Sequence, residues 1–280
     1  MDHLLAISVT DERIERVMVL KSFIKRLAIK VVQKSTGVNL AEFERLQHFR
    51  ERFRTRVYMS SDLLLPKSEK GKFSYGYEET SVGKNYRDFE NIFRGDEEFI
   101  KRKLHAYNSF FHAGGHVLEI GCGRGEFLEL LAEKGVHYVG VDMDESMVGR
   151  CRDKGLSPIV QEDFETYLKK IETPTFDGIF SAQFIEHIPS EKVFDFFKLC
   201  HATLKPGGVL VVETVNPYSI EALRTFHVDL THQKILYPEV LLYGCMGAGF
   251  KRASVYYPNH GGFNEAEYDV AGEYAVIAYV

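Results

Sequence analysis

One short segment limits what this chain of 280 residues can fold into. Residues 117–125 read Val-Leu-Glu-Ile-Gly-Cys-Gly-Arg-Gly, an apolar run with one acid followed by three glycines at alternate positions. The run predicts a buried strand, and the pattern over residues 126–134 predicts a helix directly after the glycines. Glycines let a backbone turn tightly against a ligand, and the free N–H groups of a helix N-terminus point to the same place. The segment therefore predicts a strand–loop–helix cradle for a nucleotide-like ligand.

From His116 onward, predicted strands and helices alternate along the chain. This order is typical of a doubly wound α/β fold with a mainly parallel sheet. The predicted helices cover residues 126–134, 145–154, 164–171, 190–203 and 238–247. The predicted strands cover residues 117–120, 137–141, 158–161, 176–183, 252–257 and 273–280, with a further strand after the turn at Pro206-Gly207-Gly208.

The motifs along this region occur in a recognisable order. Residues 119–125 have the pattern E-x-G-x-G-x-G, Asp142 ends the second strand, and Asp163-Phe164 follow the third. A dinucleotide-binding turn, G-x-G-x-x-G, would instead require glycine where Glu126 stands. With the segments 176–183 and 204–210, these motifs resemble class I S-adenosylmethionine-dependent methyltransferases from about residue 117 to the C-terminus. The resemblance implies a Rossmann-like sheet of seven strands, the last two forming an antiparallel hairpin.

The same resemblance implies which residues bind the cofactor, S-adenosylmethionine. It places Asp142 on the two ribose hydroxyls, Asp163 at the adenine amino group, Phe164 against the adenine ring and Gln183 in contact with the cofactor. The remaining implied cofactor residues are Glu119, Gly121, Cys122, Gly123, Gly125 and Met143.

The segment that starts at Tyr86 precedes the first strand. It resembles a stretch found before the first motif in methyltransferases encoded with bacterial surface-polysaccharide genes, where a tyrosine and an arginine close over the cofactor. Arginine can hold a carboxylate with a fork of donors. The resemblance thus implies cofactor contacts for Tyr86, Arg87 and Arg94. An amphipathic lid helix with packed phenylalanines and solvated arginines fits the segment equally well.

Candidate catalytic residues lie in two later loops. His187 follows the fourth strand and is a candidate general base, because imidazole titrates near neutral pH. Asp229 and His232, in the insertion after the fifth strand, would hold a hydroxyl group or act as a base pair. Packing of His187 and a turn cap by Asp229 are the structural alternatives. No metal is predicted, because one Asp and one His are too few ligands for a magnesium site.

The chain is predicted to have three parts: a helical hairpin over residues 1–59, a linker over 60–85, and a methyltransferase domain over 86–280, of which 86–111 form lid helices. Residues 12–34 are amphipathic and basic. This pattern fits a hairpin that packs on itself, on the domain or on a second subunit of a homodimer. It also fits a peripheral contact with an anionic membrane surface.

Charge and cysteine content bound the environment. Residues 1–70 carry 14 Lys and Arg against 9 Asp and Glu, whereas the remaining 210 residues carry 21 against 31. The acidic body lacks any nucleic-acid motif, so no nucleic-acid partner is predicted. Four widely spaced cysteines contain no C-x-x-C pair, which argues against a disulfide framework. No signal peptide or membrane span is visible in the sequence, and the prediction is a cytoplasmic protein, with the inner membrane face as the site of any membrane contact.

These observations together predict an S-adenosylmethionine-dependent methyltransferase. The predicted reaction is O-methylation of a small-molecule or glycan acceptor, a saccharide or other hydroxylated metabolite. One alternative is a C- or N-methyltransferase that acts on a lipid-like or quinone-like acceptor. A nicotinamide-dependent oxidoreductase would use the same sheet, but Glu126 and the absence of a Tyr-x-x-x-Lys motif argue against it. A non-catalytic subunit that retains the fold is the remaining alternative.

Overall fold

A computed structural model describes residues 85–258 and 272–280. The hairpin predicted for residues 1–59, its basic segment 12–34 and all but the last residue of the linker predicted for 60–85 lie outside the described residues.

The described residues alternate helices and strands. In chain order the helices are α1 (Tyr86–Phe93), α2 (Glu97–Leu104), α3 (Glu126–Glu133), α4 (Glu145–Asp153), α5 (Phe164–Lys169), α6 (Val193–Thr203), α7 (Ile220–Phe226) and α8 (Pro238–Ala248). The strands are β1 (His116–Ile120), β2 (His137–Asp142), β3 (Ile159–Gln161), β4 (Phe176–Ala182), β5 (Leu204–Val215), β6 (Arg252–Tyr256) and β7 (Glu273–Tyr279). Short 3₁₀ helices cover His105–Phe110, Ile185–His187 and Ser190–Lys192.

The strands form one seven-stranded sheet in the order β3-β2-β1-β4-β5-β7-β6. The pairs among β3, β2, β1, β4 and β5 are parallel, and β7 runs antiparallel to both β5 and β6. The strand order moves outward in both directions from β1, so the carboxyl ends of β1, β2 and β4 meet at one edge. A ligand in an open α/β sheet binds at such an edge.

Side chains on successive strand residues point to opposite faces of the sheet. One face buries Leu118, Ile179 and Leu210 with α5, α6 and α8. The opposite face buries Val117, Phe180 and Val211 with α2, α3 and α4. Because both faces are covered, the central strands are mostly apolar, as the sequence predicted. The predicted seven-stranded, mainly parallel fold is confirmed.

The helix boundaries follow local capping. Asp96 begins α2 as its N-cap, accepting a hydrogen bond from the N–H of Phe99. The five helices predicted after residue 125 are present to within three residues at each end. Helix α7 was not predicted; Ser219 caps it by accepting from the N–H of Ala222. None of the helices in the described ranges combines the length and apolar character needed to cross a bilayer.

We expect Gly178→Ala to destabilise the protein by about 1–3 kcal/mol, because the methyl group would overpack the core. A Cβ at this position on β4 would lie 2.5 Å from Cε1 of Phe111, whose buried ring packs against Phe127 and Phe180. Urea denaturation measures the change. Gly149→Ala, on α4 with open space around its Cβ, is the matched control and should be neutral or slightly stabilising. Equal unfolding midpoints for the two variants would contradict this packing.

Candidate active site

The glycine loop joins β1 to α3 in a conformation that requires its glycines. Gly121, Gly123 and Gly125 have φ angles of 69°, 53° and 82°, a region that other residues rarely adopt. A Cβ on Gly121 would lie 2.5 Å from Cδ2 of Phe184, so a ring packs directly on this turn. At Gly123 the nearest atom to such a Cβ is Nη1 of Arg94, 4.0 Å away. The loop is therefore packed at Gly121 and open at Gly123.

Asp142, at the end of β2, holds this loop. Its Oδ2 accepts a hydrogen bond from the N–H of Gly123 and its Oδ1 accepts one from the N–H of Asp144, both at 2.9 Å. Burial raises the pKa of the carboxyl, although the two N–H donors oppose the shift. Met143 follows directly and is 72% exposed. Each carboxylate oxygen keeps a second lone pair that can accept from a ligand.

Glu119 is a buried acid without a complete set of partners. It lies on β1 one residue before the end of the strand, and its Oε2 has no hydrogen-bond partner among the described residues. Burial raises the pKa of its carboxyl well above the usual range. Buried polar atoms are rarely left unpaired. The unpaired oxygen beside the glycine loop thus indicates a place where a polar ligand group binds.

Helix α1 places Arg94 over the open side of the loop. Nη1 of Arg94 lies 3.0 Å from Oε2 of Glu90 and faces the space at Gly123. Tyr86 begins the same helix and donates a hydrogen bond of 2.8 Å to Oδ2 of Asp229. Arg87 is half-buried on this helix. The helix thus contacts both the glycine loop and the insertion after β5.

A buried arginine joins the loop to this helix, although the sequence motifs indicated no role for it. Arg124 donates from Nη1 to the carbonyl oxygen of Gly95 at 3.0 Å and to Oδ1 of Asn91 at 2.8 Å. Its Nε donates to Oε1 of Glu126 at 2.7 Å. The only signal in the sequence was a charged residue inside a glycine loop, flanked by an acid two residues later.

Two other predicted cofactor residues have identifiable structural roles. The Sγ atom of Cys122 packs against Gly140 in the core, so only the backbone of this residue is left to face the loop. Asp163 caps α5 by accepting from the N–H of Thr166 at 3.0 Å, and hydrogen bonds from Thr166 lower the pKa of its exposed carboxyl. The second carboxylate oxygen of Asp163 can still accept from a ligand.

Phe164 and Gln183 lie next to the glycine loop. The ring of Phe164 lies edge-on to Phe184, with centroids 5.7 Å apart, and Phe184 in turn packs on Gly121. Gln183, at the end of β4, has φ of 52°, and its Nε2 donates to Oε1 of Glu213 at 3.2 Å. A non-glycine residue in this strained conformation is often found at a functional site.

His187, Asp229 and His232, predicted from separate loops, come together in the fold. The His187 and His232 rings have centroids 4.6 Å apart, and Nε2 of His232 lies 3.9 Å from Oδ2 of Asp229. Burial lowers the pKa of both imidazoles, that of His187 to about 4. Both rings are therefore neutral at physiological pH. This differs from the expectation that His187 would titrate near neutrality, because no pattern in the sequence indicates that the ring is shielded from solvent.

Hydrogen bonds define which ring nitrogen of each histidine carries the proton. Thr231 Oγ1 donates its single hydrogen to the carboxylate of Asp229 at 2.7 Å, so it accepts from Nδ1 of His187 at 2.9 Å. Nδ1 of His232 donates to the carbonyl oxygen of Phe226 at 2.7 Å. With both Nδ1 atoms protonated, the lone pair of each neutral ring is on Nε2.

Glu186 completes this group and was not assigned a role from the sequence. It is 1% exposed, its Oε2 accepts from the Thr214 hydroxyl at 2.9 Å, and burial raises the pKa of its carboxyl to about 7. One ligand atom from each of Glu186, His187 and His232 lies within 4.8 Å of the others. The Glu-His pair after β4 was visible in the sequence, but nothing there placed His232 beside it.

Comparisons with known proteins match most of this chain to methyltransferases. A family model described as a methyltransferase domain matches residues 92–250, more than half of the chain. The crystal structure of an S-adenosylmethionine-dependent methyltransferase from Archaeoglobus fulgidus is 32% identical, with a TM-score of 0.63. That match covers 70% of this chain and 99% of the other.

Curated relatives include two proteins named ubiquinone biosynthesis O-methyltransferase. The protein from Xylella fastidiosa (strain M23) is 31% identical over 156 residues, which are 48% of this chain and 62% of the relative. The protein from Hahella chejuensis is 33% identical over 107 residues, 37% of this chain and 44% of the relative. The chain thus spans less than two thirds of the length of these relatives. The names of these relatives do not support the predicted association with polysaccharide genes.

The family match, the solved structure and the conformation of the glycine loop lead to the same conclusion, and the predictions of a methyltransferase and of its cofactor are confirmed. The chain belongs to the class I S-adenosylmethionine-dependent methyltransferases.

Proposed function

We propose that this enzyme transfers a methyl group from S-adenosylmethionine to a hydroxyl group of a small, ring-containing, quinone-like acceptor. The observation that carries the proposal is the polar group Glu186, His187, Asp229 and His232, which begins two residues after Phe184, whose ring packs on the glycine loop. The names of the relatives support oxygen as the methylated atom and a quinone-like ring as the acceptor. A saccharide acceptor has no such support.

The residues around the glycine loop fit the charged parts of S-adenosylmethionine. The unpaired Oε2 of Glu119 suits the ammonium group, and the Arg94 guanidinium suits the carboxylate. Asp142 has lone pairs left for the ribose hydroxyls, with Met143 exposed beside it. Asp163 and Phe164 lie after the adjoining strand β3, where the adenine amino group and ring would be bound.

The chemistry of the cofactor leaves a limited task for the protein. When bound, S-adenosylmethionine supplies a methyl carbon on a positively charged sulfur: the acceptor oxygen forms a bond to this carbon, the carbon–sulfur bond breaks with its electron pair on sulfur, and the hydroxyl proton is released. The glycine loop and helix α1 would hold the methyl carbon and the acceptor in line, and such positioning can contribute about 7–11 kcal/mol in ideal cases.

His187, Asp229 and His232 would act on the acceptor hydroxyl. The lone pairs on the Nε2 atoms are available to take part in proton removal, and Asp229 fixes His187 through Thr231. Tyr86 connects Asp229 to helix α1, so an acceptor held by this group would also be covered by the lid.

We expect Asp142→Ala to weaken S-adenosylmethionine binding about ten- to hundredfold, because a charge-assisted hydrogen bond contributes about 1.5–3 kcal/mol. Isothermal titration calorimetry measures the dissociation constant, and circular dichroism checks the fold. Asp195→Ala removes an exposed acid on α6 and should bind like the wild type. Unchanged affinity in Asp142→Ala would remove this residue from the cofactor site.

We expect His187→Gln to lower kcat by about 10²–10⁴-fold, the usual contribution of a group that activates an acceptor, while cofactor affinity stays within about twofold. Methyl transfer is followed with labelled cofactor. His137→Gln, at the exposed start of β2 on the opposite edge of the sheet, is the matched control. A His187→Gln variant with wild-type kcat would rule out this role.

The acceptor class is tested by incubating the full chain with labelled cofactor and three compound sets: quinone-like phenols, saccharides and amines. We expect methyl ethers from the phenols alone, identified by mass spectrometry and NMR. Products from the saccharides or the amines, with none from the phenols, would overturn the proposed acceptor and leave the methyltransferase assignment intact.

A further inference from the structure

We propose that Glu186, His187 and His232 form a binding site for a divalent transition-metal ion such as zinc, at the edge of the crevice where the acceptor would bind. The sequence prediction of no metal counted only Asp229 and His232. The fold adds Glu186 and His187 and so supplies two imidazoles and one carboxylate.

The three side chains have nearly the spacing of ligands around one metal ion. One ligand atom of each lies within 4.8 Å of the other two. Atoms bound to one zinc ion lie about 2.0–2.2 Å from it and hence no more than about 4.4 Å apart. Small side-chain shifts would therefore close the group around an ion. The backbone already holds the two loops together, since the N–H of Gln233 donates to the carbonyl oxygen of Glu186 at 2.8 Å.

The two histidines have the hydrogen bonds and the tautomer of metal ligands. Each Nδ1 is occupied by a hydrogen bond, in His187 to Thr231 and in His232 to the carbonyl of Phe226. Histidines that bind metals commonly donate the proton of the other ring nitrogen to a carbonyl or to a polar partner, which fixes the tautomer and raises the basicity of the ligand atom. Both Nε2 lone pairs are thus in the form that binds a cation.

Glu186 has a buried carboxylate oxygen without a partner among the described residues. This carboxyl is 1% exposed and forms no ion pair with any of the residues that the structure describes. Oε2 accepts from Thr214, while Oε1 has no partner. An ionised form would be a buried charge without a counterion, which is costly. A protonated form would leave its O–H without an acceptor. A bound cation would give this oxygen a partner and would also neutralise the charge of the carboxylate.

The ligand set selects the kind of metal. Imidazole nitrogens suit zinc, iron and similar first-row ions, whereas magnesium prefers oxygen ligands and retains several waters. Three protein ligands leave a coordination position open for a water or a substrate oxygen, as in catalytic zinc sites. With a metal bound, the two Nε2 atoms would be ligands and would no longer take up a proton. The metal would instead activate the acceptor hydroxyl by lowering its pKa, and the proton would pass to solvent. That role, unlike the site itself, rests on the proposed hydroxyl acceptor.

The test uses the full chain, freed of metal with a chelator and titrated with Co²⁺, and then with Zn²⁺ in competition with a chromophoric chelator. We expect one equivalent of Co²⁺ to bind with visible absorption typical of low coordination number, and Zn²⁺ to displace it. Glu186→Gln and His232→Gln should each weaken binding at least tenfold. Thr231→Val, which removes the hydroxyl between His187 and Asp229 but no proposed ligand, should weaken it about 10–100-fold. Asp195→Asn and His137→Gln should bind as the wild type does.

Absence of Co²⁺ and Zn²⁺ binding to the wild type would overturn the proposal, whatever the variants do. Binding that is equally tight in Glu186→Gln and His232→Gln would overturn it as well, provided that cofactor affinity shows both variants to be folded. The acceptor assignment is tested separately. If the chain binds the metal through these residues but methylates no phenol, the metal site stands and the proposed acceptor is wrong. If the metal-free enzyme methylates phenols at full rate, the proposed acceptor stands and the metal takes no part in the reaction.

Discussion

The hydrogen bond between the N–H of Gly123 and Oδ2 of Asp142 is the interaction on which the cofactor side of this enzyme depends. It connects the glycine loop after β1 to the tip of β2, and the carbonyl oxygen of Val141 adds hydrogen bonds from the N–H groups of Gly121 and Cys122. The parallel pairing of β1 with β2 makes these contacts geometrically available. The loop therefore has a defined shape before any ligand arrives, which reduces the ordering cost of binding.

Buried charges connect the rest of the site to this loop. Arg124 places a guanidinium in the interior and uses it to hold Gly95 and Asn91 next to Glu126. Loss of one partner from such a buried pair leaves an uncompensated charge in the interior, which is strongly destabilising. The hydrogen bonds around Arg124 are therefore expected to form or break together. The position of Arg94 over Gly123 thus depends on a residue of the loop itself. The glycine loop and helix α1 are thus joined by direct hydrogen bonds.

The proposed acceptor side has a different construction. Its polar group comes from the 3₁₀ turn after β4 and from the insertion after β5, and backbone and hydroxyl hydrogen bonds hold the two together. Neutral imidazoles and a buried carboxyl with an unpaired oxygen are chemically suited to a cation or a developing charge. The Glu186 carboxyl is poorly suited to simple packing, because its buried Oε1 has no hydrogen-bond partner among the described residues.

The sequence by itself determined the order of strands and helices, the glycine loop and the acid at the end of β2. These follow from local rules: apolar periodicity, the conformations open to glycine, and the short distance along the chain between a strand and its next helix. Tertiary structure alone decided that Glu186 and His187 meet His232, that Arg124 anchors helix α1, and that the side chain of Cys122 points into the core. These outcomes depend on which segments the parallel sheet brings together, and residues so far apart along the chain leave no periodic signal of their proximity.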